Sequence, residues 1–424
     1  MSRAALALLA ASACATLLLA GLPSPLFAAA DTADPIVHIG LVRTCGGAQR
    51  IDVRTEGKLV VRQSGSSRVI ETIPDGRVTL ELQSGAITLS AANLPTVSAP
   101  SVDLASEGGS LLEVIPGKST RGKHYRGSIT VRTSPGSLVT IDNVGVEEYL
   151  YSVLPQEIGS SAPAEALKAQ AIAARTYALK NRGRFRDQGF DIDDTTRSQG
   201  YGGTDDETAV VTSAVDATRG IVLTYQGQLI DAPYSTDSGG VTACDPTGRC
   251  PYLQPVVDTP GPGLPEYGAD KPGHEWTLQL TSQQLADALN RDARTRVANF
   301  QCLTIDGIDQ SGRILSATVS DIDGTMKTIS GSVLRQILGN DQLRSTRLTL
   351  TVMASGDYLF RGKGWGHGLG MSQRGAIAMA SSPYNYTYRD ILAHYYVGTT
   401  CQTATPALLG PLPEVAASQL RLMK

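Results

Sequence analysis

The chain has 424 residues, 41% of them hydrophobic and 18% charged, enough apolar sequence for a sizeable core and a length that implies two or three structural units. A net charge of −3 with no basic clustering argues against nucleic acid as partner, because phosphate neutralisation needs grouped Lys and Arg. The 44 glycines and 22 prolines point to many turns and short strands rather than long helices.

Residues 1–30 read as a targeting segment. Arg3 precedes an apolar run from Ala4 to Leu22, and Ala28-Ala29-Ala30 offers a small-residue cleavage site before Asp31, the three-part pattern of a secretory signal. The rival reading is an uncleaved anchor, since the run is nearly span length. The Pro23–Pro25 break favours cleavage, and no second span follows. The expectation is an exported protein of the periplasm or cell wall with no stable membrane span. Export permits disulfides. Cys244 and Cys250 flank a turn-rich "DPTGR" and are a candidate pair. Cys302 with Cys401 is a looser one, and the odd count of Cys45, Cys244, Cys250, Cys302 and Cys401 leaves at least one thiol over.

Residues 31–118 alternate apolar and polar side chains in "RIDVRTEGKLVV" and "RVTLELQSGAITLS" and predict a β-rich region. Two more strands flank Ser134-Pro135-Gly136. The apolar "YLYSVLP" then leads to Glu157, placing a lone carboxylate at a strand-to-helix junction. Ala162–Arg182 predicts a helix, with Ser161 or Ala162 at its cap, Pro163 in the first turn and Gly183 at the stop. "DDETAVVTSAVDATRG" predicts a second helix, and "IVLTYQGQLI" a hairpin turning near Gly227. "TSQQLADALNRDA" predicts a helix capped at Thr281 or Ser282. Strands and the short helix "GSVLRQIL" follow, and Ser372-Gln373 opens another helix. The tail 403–424 is Ala/Pro/Leu-rich and predicted to be flexible. The alternation of strands and helices gives an α+β class.

Three islands carry candidate chemistry: Glu157, the "PYSTDSGGVTAC" segment, and "GWGHGLGMSQRGA" around His367. Glycines let backbone N–H groups approach a ligand, and neighbouring hydroxyls and amides suit a polyhydroxylated substrate. A bland reading exists for each: a surface or capping acid, a turn, a satisfied structural histidine. No Gly-x-Ser-x-Gly elbow supports a serine hydrolase, "GWGHGLG" lacks the context of a nucleotide fingerprint, and no His-Glu-x-x-His or Cys-x-x-Cys marks a metal site.

In order and wording these islands resemble the stage II sporulation protein D (SpoIID) family. The resemblance runs over residues 119–402 through "YRGSITV", "VEEYLYSVLPQEIGSSAPAEALKAQAIAARTYAL", "YSTDSGG", "LRQILG" and "GKGWGHGLGMSQRGAIAMA". It implies a catalytic region of mixed strands and helices around a cleft, and peptidoglycan lytic transglycosylase activity with Glu157 as the essential acid. Arg175, Gln199, Tyr201, Ser235, Ser238, His367 and Gln373 are the implied substrate-binding residues. Some relatives carry Cys and His in the loop that here reads "FDIDDTTRSQGY", and one binds zinc there. Asp193, Arg197 and Ser198 stand in this chain, so neither metal nor cofactor is expected. The implied partners are peptidoglycan glycan strands, preferentially stripped of peptides, and an amidase acting upstream. The family also includes an amidase enhancer, so the alternative is a non-catalytic wall-binding protein that stimulates an N-acetylmuramoyl-L-alanine amidase.

Overall fold

The computed structural model describes residues 34–92 and 95–410. The targeting segment 1–30 and the end of the tail lie outside the described residues. Among the described residues, no helix is long and apolar enough to cross a membrane.

Two antiparallel-rich sheets open the fold. The first has seven strands in the order Ile192–Asp193, Ile36–Gly40, Ser137–Gly145, Ser128–Ser134, Ser101–Ser106, Leu59–Gln63 and Val69–Ile73. The second has six, from Lys123–Tyr125 through Leu112–Pro116, Arg50–Thr55, Arg77–Gln83 and Ala86–Ser90 to Val97–Ala99. Alternation puts Val37, Ile39, Val102, Leu104 and Val131 on the inner face of the first sheet. Ile51, Val53, Leu80 and Val114 take the inner face of the second, and all belong to one buried cluster. The expected boundary at 118/119 is not a structural one. Ser128–Ser134 pairs with Ser101–Ser106, and Ser137–Gly145 with Ile36–Gly40, so one sheet crosses it.

The predicted Ala-rich helix is Ala164–Lys180. Six of its seven alanines, Ala166, Ala169, Ala171, Ala173, Ala174 and Ala178, are fully buried, and it packs against helices Val146–Glu157, Ala209–Asp216, Gln373–Ala380 and Tyr388–Tyr395. Small side chains permit that many neighbours at close range. One expectation fails here: Val146–Glu157 is a helix, not extended chain. Val146, Tyr149, Leu150, Val153 and Leu154 are buried at helical spacing. The helix start is satisfied from a distance, by the Asp34 carboxylate accepting the Glu147 N–H at 3.2 Å. The predicted second helix is shorter than expected, a 3₁₀ turn Thr204–Asp206 followed by Ala209–Asp216. The hairpin turn falls at Gln226-Gly227, both with positive φ, as a two-residue turn of right-handed strands requires.

A second core lies within the segment from Trp276 to Phe360. It gathers the sheet Glu275–Leu280, Tyr358–Lys363 and Leu348–Val352, the meander Phe300–Ile308, Ile314–Asp321 and Met326–Ser330, and helices Ser282–Asn290 and Gly331–Leu338. The first helix begins with a full capping box: Thr281 Oγ1 accepts the Gln284 N–H at 3.2 Å, and Gln284 Oε1 accepts the Thr281 N–H at 2.9 Å. Thr281→Ala is expected to cost about 1 kcal/mol, read as a lower denaturant midpoint at unchanged slope.

The expected disulfides do not form. Cys45, Cys244, Cys250, Cys302 and Cys401 are all free thiols. Cys302 belongs to the meander of the second core, whereas Cys401 sits on a strand paired with Ile221–Tyr225 and packs on the first. Of the predicted flexible tail, Pro406–Leu409 forms a short helix whose Leu409 carbonyl accepts from Arg182.

Candidate active site

Glu157 is the last residue of its helix. Gly159, at φ +83, closes that helix by donating its N–H to the Leu154 carbonyl at 3.2 Å, the left-handed stop that glycine adopts without strain. The half-buried carboxylate accepts the Gly200 N–H on Oε1 at 2.7 Å. Burial raises its pKa above the ordinary glutamate value, against the opposing pull of the Gly200 N–H and the Gln373 amide. No charged group contributes to that balance. The negative end of the helix macrodipole acts in the same direction as burial, disfavouring the anion. The result is a carboxyl group set to hold a proton longer than a surface glutamate does.

Gly200 is held in place by its neighbours. The Gln199 amide oxygen accepts from Tyr149 Oη at 3.2 Å, and its nitrogen donates to Tyr234 Oη at 2.8 Å. Tyr201 Oη donates to Asp142 at 2.6 Å. Both side chains are buried, so the loop is clamped on either side of the N–H that faces the carboxylate.

The glycine-rich segment folds back to the same place from over 200 residues away in sequence. Ser372 Oγ accepts the Gly375 N–H and caps helix Gln373–Ala380. Gln373, its first residue, lies against Glu157 and reaches Gln170 Oε1 at 3.4 Å. Tyr234–Ser235 pairs in parallel with Met371–Ser372. Gly366, at φ +115, sits so close that a Cβ there would lie 2.6 Å from that of Ser235. His367 is open to solvent at one edge. Its Nδ1 accepts the Leu369 N–H at 3.0 Å and its ring also bonds the Tyr234 carbonyl, tying the loop to the strand beside it. The surrounding protein, with Arg313 and Arg335, lowers its pKa to about 4, so the ring is neutral at pH 7.

Four expected contact residues occupy other places. Arg175 is fully buried and forms a bidentate pair with Glu147, at 2.8 and 2.6 Å. Ser238 donates to Asp258 and takes the Arg313 guanidinium on its carbonyl at 2.6 Å. With Gln199 and Tyr201, these side chains are nearly inaccessible and hold the scaffold instead of facing a substrate. Of the others, Gln373 lies against Glu157, Ser235 pairs with Ser372 beside it, and His367 is tied to Tyr234 on the same strand. Sequence reasoning missed Gly200, Gln156 and Gln170. Gln156 donates to Asp206 at 2.7 Å and accepts from Arg43 at 3.0 Å. Gln170 is buried with its Nε2 unpartnered; the available signal was an amide standing in an alanine face.

The loop around Asp193 is closed by the Arg197–Asp193 ion pair and by Ser198 Oγ, which accepts the Asp193 N–H at 3.2 Å. Among the described residues, no three His, Cys, Asp or Glu side chains are gathered as metal ligands.

The geometry predicts a pH signature. A general acid works only while protonated, so activity is full below its folded pKa and lost as pH rises through it. The Gln373 amide favours the anion, hence Gln373→Met raises the Glu157 pKa further. The alkaline limb of kcat/KM is expected to move to higher pH. A limb that stays in place would separate Gln373 from the acid.

Residues 134–225 match the family model described as stage II sporulation protein, and residues 263–370, which contain the second core, match a domain of unknown function (DUF8618). An uncharacterized protein of Brachyspira hyodysenteriae is 32% identical over 297 residues, 68% of this chain and 75% of that one. The amidase enhancer of Bacillus subtilis is 31% identical over 301 residues, 59% of this chain but only 40% of that protein. The stage II sporulation protein D of Bacillus subtilis is 30% identical over 308 residues, covering 66% of this chain and 82% of that one. With the Glu157 helix, the alanine scaffold and the returning glycine loop assembled as one site, the chain belongs to the stage II sporulation protein D family.

Proposed function

We propose that this protein is an exported lytic transglycosylase. It cleaves the bond between N-acetylmuramic acid and N-acetylglucosamine in peptide-stripped glycan strands and leaves 1,6-anhydro ends. Glu157 protonates the bridging oxygen, then accepts a proton from the sugar's own 6-hydroxyl as it attacks. The observation that carries this reading is a solitary, half-buried carboxylate of raised pKa with no charged group in its balance. Hydrolytic glycosidases ordinarily need a second carboxylate to act as nucleophile or to activate water. Intramolecular attack needs none, and tethering the nucleophile replaces the positioned water. Gly200 N–H and Gln373 hold the carboxylate in one orientation through both proton transfers.

A second reading is favoured by the likeness to a protein named amidase enhancer: a wall-binding protein without turnover that stimulates an amidase. Incubation of the purified protein with peptide-free glycan strands, followed by mass spectrometry, separates the two. Products with 1,6-anhydro ends support the transglycosylase, and new reducing ends point to hydrolysis. Intact strands together with faster amidase turnover replace the first reading by the second.

A further inference from the structure

The outer face of the seven-stranded sheet carries a groove of about 490 Å³, within the roughly 300–1,000 Å³ of small-ligand sites. None of its lining residues belongs to the Glu157 site. A polar lane crosses it. His38 Nδ1 bonds Asn143 Oδ1 at 2.7 Å, and Asn143 Nδ2 donates to Thr130 Oγ1 at 2.9 Å and to the Ser128 carbonyl at 3.0 Å, with Ser128 Oγ beside it at 3.2 Å. Thr130 and Ser64 both donate to Asp103 Oδ1 at 2.7 Å. The lane runs over four adjacent strands, roughly 14 Å at about 4.8 Å per strand spacing.

The network fixes what the groove offers. The Asn143 amide nitrogen is engaged as donor, so its oxygen accepts from His38. That puts a proton on His38 Nδ1, and in the neutral ring Nε2 then carries the lone pair. Among the described residues, Asp103 Oδ2, His38 Nε2 and the Arg132 guanidinium have no partner, and the Ser128 hydroxyl donates to none, so its proton is free to give. Acceptors and donors are therefore interspersed along one wall. Asp103 and Arg132 cancel in charge, which favours neither an anion nor a cation. Gly65 lines the groove with open space where a Cβ would stand, and so admits a ligand close to backbone.

We infer that this groove is a second, non-catalytic binding site for an uncharged saccharide, whose hydroxyls each donate and accept hydrogen bonds. It stands apart from the Glu157 reading, because binding there needs no turnover. The test is calorimetric titration of the full chain and of its Glu157→Gln variant with the N-acetylglucosamine trisaccharide, beside a Ser128→Ala/Arg132→Ala variant. Saturable binding is expected in the first two proteins, weakened at least about tenfold in the third with its melting temperature kept, as loss of two ligand hydrogen bonds implies. Asn143→Asp, which keeps shape but adds charge to the lane, should weaken binding too. Absence of binding, or equal binding by the Ser128/Arg132 variant, overturns the site and leaves the Glu157 reading to its own assay.

Discussion

Glu157→Gln is expected to lower glycan-strand cleavage by about 10²–10⁴-fold, the usual worth of a positioned general acid, without loss of fold. The amide keeps the shape and an oxygen for the Gly200 N–H, but has no acidic proton to transfer. Stability should be equal or higher at neutral pH. A raised folded-state pKa means the folded protein holds this proton more tightly than the unfolded chain, so stability declines as pH rises from the unfolded value through the folded one. Gln removes that decline. Cleavage assays across pH, paired with melting curves, check both halves. A variant that cleaves at the wild-type rate takes Glu157 out of the chemistry.

Arg175→Met is expected to be the most destabilising single change named here, costing about 3–5 kcal/mol out of a total that is ordinarily about 5–15 kcal/mol. It strips the buried Glu147 carboxylate of its bidentate partner, leaving only backbone donors such as the Gly220 N–H at 3.0 Å. It also frees the Ile221 carbonyl, which Arg175 Nη1 serves at 3.0 Å. Replacing both members, Arg175→Met with Glu147→Leu, should recover much of the loss, because an apolar pair leaves no buried charge unpaired. Chemical denaturation of the single and double variants measures this coupling. If the single variant keeps wild-type stability and loses only glycan cleavage, Arg175 acts on substrate after all.

The sequence by itself determined the features whose physics is local. The capping box at Thr281, the Gln226-Gly227 hairpin, the strands about Pro135-Gly136 and the helix opening at Ser372 each depend on a few adjacent residues, and each stands where its turn or cap chemistry puts it. The wording of the Glu157 and His367 segments also marked the site. Tertiary structure decided the rest. The run ending at Glu157 became a helix because its start is capped by Asp34, 113 residues away, and because its apolar residues pack on the Ala164–Lys180 helix. Whether a polar residue faces substrate or scaffold depends on partners distant in the chain. Arg175 meets Glu147 and the Ile221 carbonyl, Tyr201 meets Asp142, and Ser238 meets Asp258, which satisfies each of them inside the protein. Gly200 has no side chain to advertise a role. Its one contribution is an N–H, and only the clamped loop aims that N–H at the Glu157 carboxylate.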